Sequence, residues 1–222
     1  MSPARRWPLL CLAGGSVLLA CADIAPPSRS SAYEWRRIVA TAGGPDTLSF
    51  HWPQERLQVR FWAEDTLNLP VHVQHAIGQW QAAFLYGEFR GELVADSSVA
   101  DVIVTSGLAP KGGFSVTRLE SSMAPECQGA TDIELDAGGT RILPPIRVYV
   151  NPRFVPGSPG VDECLALTTT HELGHSLGIF AHSPNADDIM FADPVVSELS
   201  PEDRVTAELA YHTEPTLTVA PR

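Results

Sequence analysis

The 222-residue chain reads as an α+β fold with α/β-like layers. Three observations carry this expectation. Short β-branched or alternating apolar runs recur, the clearest being DVIVT at Asp101 to Thr105. Val71, Ile77, Trp80 and Phe84 form an apolar stripe at helical spacing. Ser200-Pro201-Glu202-Asp203 is a capping box with proline in the first turn, opening a final helix to about Tyr211.

Residues 1–21 stand apart from this fold. Arg5 and Arg6 precede an uncharged stretch from Trp7 to Ala22. That is the anatomy of a secretory signal, too short for a membrane span. Leu18-Leu19-Ala20-Cys21 resembles a bacterial lipobox, which implies lipidation of Cys21 and anchoring at the periplasmic or cell-surface side of a membrane. Cleavage after Ala20-Cys21-Ala22 is the alternative and would release a secreted protein. Loss of the two arginines takes the formal charge from −11 to −13. Such acidity argues against nucleic acid, which recruits basic surfaces. Residues 22–45 read as a tether and lead-in, 46–214 as the domain, and 215–222 as a tail.

Within the domain, Asp46 to Trp52 and Arg56 to Ala63 suit two strands joined at Pro53-Gln54-Glu55. Asn68 is placed to cap the striped helix, with Pro70 in its first turn. His72 and His75 lie on that helix and read as surface or packed side chains. Gly91 to Ala95, Asp101 to Thr105, Thr131 to Leu135 and Ile146 to Val150 are further strands, the second of them central. Lys111-Gly112-Gly113 is a glycine-rich connection. Val161 to Leu177 forms a long helix, and 179–199 is loop. Cys127 and Cys164 remain as an even pair in an oxidising compartment, which points to one disulfide.

The chemistry lies in His171-Glu172-Leu173-Gly174-His175. Helix positions i and i+4 share a face, so both imidazoles can reach one metal ion. Glu172 can then take a proton from water held there. Gly174 keeps the helix surface low beside the site. Gly178 follows where the helix needs a positive-φ residue to turn, and the chain returns with His182-Ser183 and then Met190.

The run HELGHSLGIFAHSPNADDIMF resembles the metzincin zinc peptidases, and bacterial matrixin-like ones in particular. Their signature has the third histidine three residues after the glycine. Here Ala181 holds that place and His182 comes one residue later, an insertion that a bulge can absorb. Phe191 stands where matrixins usually carry tyrosine, so it receives no catalytic role. The resemblance implies a zincin catalytic domain with a twisted five-stranded mixed sheet, an active-site helix and a C-terminal helix. It implies one Zn2+ on His171, His175 and His182, with Glu172 as general base toward a zinc-bound water and Met190 as the floor of a methionine turn. The strand at Ile146 to Val150 would edge the cleft and pair with an extended protein or peptide substrate. Structural Ca2+ occurs among such proteins, but no calcium-loop pattern stands out. No P-R-C-G segment is present, so activity without removal of a pro-segment is expected, from a monomer that meets membrane only through its N-terminal lipid.

Other readings compete. A thermolysin-like zincin would take Glu202 or Glu208 as third ligand, and Asp187 or Asp188 could stand in for His182. Gly178, His182 and Met190 together favour the histidine. From another class comes a non-catalytic zinc-binding surface lipoprotein, a peptidase fold kept for partner recognition.

Overall fold

In a computed structural model, residues 31–41, 44–56, 58–110, 116–121, 127–152 and 160–221 are described. The leader and Cys21 lie outside them. Alternation builds the main sheet. Val59, Phe61 and Ala63 of β3 (Val59–Ala63) are buried, with less buried residues between them. The pattern recurs at Val102 and Val104 of β5 (Val102–Ser106) and at Ile146, Val148 and Val150 of β9 (Ile146–Pro152). One face of the sheet therefore meets the core.

The sheet runs β4-β3-β5-β9-β7-β6, with β4 at Gly91–Leu93, β6 at Val116–Ser121 and β7 at Cys127–Glu134. From β4 to β9 the pairings are parallel, and β7 and β6 are antiparallel to their neighbours. The fold is thus mixed α+β, with the expected five strands and β6 added outside β7. The sequence reading missed β6. It also misplaced β9, which lies between β5 and β7 with both edges paired. That strand cannot pair with a peptide, and β4 and β6 are the edges.

Helix α1 (Leu69–Ala83) packs on β3, β4 and β5, and α2 (Val161–Ser176) packs on β7 and β9. The two helices also touch each other, so they lie side by side on one face. Trp80 of α1 is fully buried, and its indole N–H donates to the Thr170 carbonyl of α2 at 2.9 Å. Burying one such side chain contributes on the order of 3 kcal/mol. Asn68 does not cap α1 through its side chain. It sits at φ 56°, a left-handed conformation, and makes no such bond. The expected capping box is present at α3 (Pro201–Tyr211), where Ser200 and Asp203 bond reciprocally.

The ends of the domain extend further than the sequence suggests. Strands β1 (Arg37–Thr41) and β2 (Gly44–Leu48) form an antiparallel ribbon, so the strand expected over 46–52 is earlier and shorter. Tyr33 and Trp35, assigned to the tether and lead-in, are buried in the core. The tail is docked as well. Strand β10 (Thr218–Val219) pairs with β8 (Arg141–Ile142), Leu217 is buried, and Arg56 donates to the Ala220 carbonyl at 2.6 Å. No described helix is long and apolar enough to cross a membrane.

Candidate metal centre

Helix α2 carries Asp162 and Glu163 in its first turn, where acids complement the helix dipole. Its C-terminus is a Schellman turn. Ile179 N–H donates to the Gly174 carbonyl at 3.2 Å and Gly178 N–H to that of His175 at 3.1 Å. Gly178 has φ 107°, and a Cβ there would lie 1.9 Å from the Phe50 carbonyl oxygen. Only glycine allows that approach. The turn brings the Ile179 carbonyl back over the helix, where it accepts from His175 Nδ1 at 2.6 Å. His171 Nδ1 donates in the same way to the Ile189 carbonyl at 2.7 Å.

These two bonds fix the chemistry of the other ring nitrogens. A neutral imidazole has one N–H, and here it is committed to a carbonyl, so each Nε2 presents a lone pair. Burial drives the His171 pKa down to about 3 and holds those of His175 and His182 below the usual range. All three rings are therefore neutral near pH 7. Yet Nε2 of His171 and His175 lie 3.1 Å apart, and those of His175 and His182 lie 3.3 Å apart. The lone pairs of His171 and His175, so directed, repel unless a cation lies between them. Bonds of about 2.0–2.1 Å in a tetrahedron set donors about 3.3–3.4 Å apart, so the spacing fits a four-coordinate metal. These histidines form the one group among the described residues able to hold an ion.

His182 arrives on a loop suspended from the N-terminal segment. The N–H groups of Phe180 and Ala181 both donate to the Trp35 carbonyl, at 2.7 and 2.9 Å. Met190 is buried, and a Cβ on Gly174 would collide with its sulfur.

Two of the acids proposed as rival ligands have other partners. Asp188 is fully buried and accepts from Ser183 Oγ and from Ser200 Oγ, the latter at 2.6 Å. Glu202 accepts from the Asn185 amide at 3.3 Å. Neither these two nor Asp187 and Glu208 join the histidine group.

Beneath the Ile189–Met190 segment, Asp203 accepts from the N–H groups of Ile189 (2.9 Å), Met190 (3.4 Å) and Ser200 (2.9 Å), and from the Tyr33 hydroxyl at 2.8 Å. Burial raises the Asp203 pKa above the ordinary carboxylate value. Burial, then the adjacent Asp203 charge, also pushes the Tyr33 hydroxyl far up, so it remains a donor. Sequence reasoning missed this network. Two aromatics at the end of an otherwise polar segment were the available signal.

Glu172 is fully buried beside His171. Its Oε2 accepts from Thr131 Oγ1 at 2.6 Å, and its main-chain carbonyl lies 3.1 Å from the same hydroxyl. Cys164 of α2 is disulfide-bonded. Cys127 lies in β7, and its side chain is outside the described residues. His72 pairs with Asp162 at 3.0 Å, and neither His72 nor His75 belongs to the metal group. No protein-family model matches the chain, and no curated protein matches it.

Proposed function

We propose that the chain is an exported zinc endopeptidase of the matrixin-like metzincin type, tethered by lipid at Cys21 and acting on protein or peptide substrates. The observation that supports this reading most is the convergence of the His171, His175 and His182 rings, with Nε2 separations of 3.1 and 3.3 Å and the first two Nε2 atoms held as acceptors, and with Glu172 adjacent on the same helix.

His171, His175 and His182 would hold the metal, each through Nε2, with the first two rings oriented by carbonyls behind them. Three protein ligands leave a fourth position open, as catalytic zinc sites require. Zinc, when bound, supplies Lewis-acid polarisation of a carbonyl and activation of water. Glu172 accepts the proton released when water attacks the scissile carbonyl and delivers it to the departing amine. Met190 closes the apolar floor and need not be a ligand.

The test is metal content and casein cleavage by protein starting at residue 22, with Glu172→Gln alongside. About one zinc per chain in both, and cleavage by the wild type alone, is the expected result. Zinc in both with cleavage in neither shifts the reading to the non-catalytic binding lipoprotein.

A further inference from the structure

Strand β7 does more than complete the sheet over α2. Thr131 is wholly buried, and its hydroxyl faces Glu172 from across the sheet–helix interface. A hydroxyl has one proton to give. The carboxylate Oε2 at 2.6 Å is both nearer and more strongly accepting than the main-chain carbonyl at 3.1 Å, so the proton goes to the carboxylate. Two residues earlier on the same face of β7, Gly129 lies against the other carboxylate oxygen. A Cβ there would stand 2.2 Å from Oε1. Glycine makes room for the carboxylate at one end, and threonine fastens it at the other.

A flexible glutamate beside a metal can adopt several rotamers, and only some of them present an oxygen usefully. Valine has the shape of threonine but no proton to give, so at this position it is the hydroxyl that holds Oε2. We infer that Thr131 is a positioning residue for Glu172, acting through its hydroxyl to hold the general base in the orientation in which it works. The consequence for catalysis rests on the peptidase reading, whereas the contact itself does not.

The experiment compares Thr131→Val, Thr131→Ser, Glu172→Gln and the Thr131→Val/Glu172→Gln pair, all in the mature chain as purified. The activity-independent measurement is the melting temperature across the cycle formed by wild type, Thr131→Val, Glu172→Gln and the pair. Non-additive shifts are expected, because the valine change should matter less once the carboxylate has been replaced by an amide; additive shifts overturn the contact.

With casein as substrate, Thr131→Val should keep its zinc and its KM while kcat falls about 10- to 100-fold, the scale of one hydrogen bond to a charged group. Thr131→Ser should recover kcat to within about threefold. An unchanged kcat in Thr131→Val, a loss explained by KM or zinc content, or a failure of serine to restore turnover overturns the positioning role. Coupling in the cycle together with no turnover by the wild type refutes the peptidase reading and leaves the Thr131–Glu172 contact standing.

Discussion

Replacing Gly178 by alanine should damage both the fold and the site, and the structure separates the two causes. The residue holds φ 107°, where an L side chain costs about 1–3 kcal/mol. The new Cβ would also lie 1.9 Å from the carbonyl oxygen of Phe50, a residue only 1% exposed. Relief needs a shift of about 1 Å in packed backbone, which adds about 1–3 kcal/mol. The total of about 2–6 kcal/mol is a large share of the roughly 5–15 kcal/mol that holds a typical domain. Gly107 provides the control, with φ 109° and nothing within 4 Å of an added Cβ. Gly107→Ala should show the backbone cost alone. Urea unfolding of both variants, with m unchanged, reads the difference. Zinc affinity should fall in Gly178→Ala only, because that turn aims the Ile179 carbonyl at His175. Equal destabilisation of the two variants, or a Gly178→Ala cost below about 1 kcal/mol, would refute the steric argument.

His182→Ala should weaken zinc binding by more than about 100-fold, exceeding the usual loss from an outer partner, while Glu208→Ala leaves it unchanged; competition with a chelator decides, and the reverse pattern identifies a different third ligand. For Asp203→Asn the pH dependence has a definite sign. Folding raises this carboxyl's pKa, so its contribution to stability is greatest below the unfolded value of about 3.9 and declines as pH rises through the folded value. The urea-midpoint gap between wild type and Asp203→Asn should therefore be wider at pH 4 than at pH 7, and a gap wider at pH 7 would reverse the assignment.

What the sequence revealed were the parts written locally. Histidines at i and i+4, a glycine where the helix must turn, and the Ser200–Asp203 box are short-range instructions, and the structure places each of them as read. Long-range pairing was a different matter. Ile146 to Val150 has the composition of a strand, but nothing in that composition separates an edge from an interior position, and the crossovers that decide it span the whole chain. Likewise the TDIEL run shows which residues alternate, though not that Thr131 meets Glu172. Trp35 was hidden by its polar neighbours. Its side chain is buried in a core assembled from later residues, and its carbonyl serves a loop that contains the third histidine. Asn68 shows the opposite error, a residue of the right type placed in a backbone conformation that withholds its side chain from the helix.

The attachment of Trp35 and Tyr33 has a mechanical side. A pull on the chain at residue 31 loads the Tyr33 N–H, which donates to Thr206, together with the Tyr33 hydroxyl and the Trp35 carbonyl. From there the strain divides, one branch reaching Asp203 and the backbone under Met190, the other reaching the segment that delivers His182. Trimming or fusing the chain close to Tyr33 therefore acts on the same two points, and a linker added at the N-terminus transmits least when it ends before residue 31.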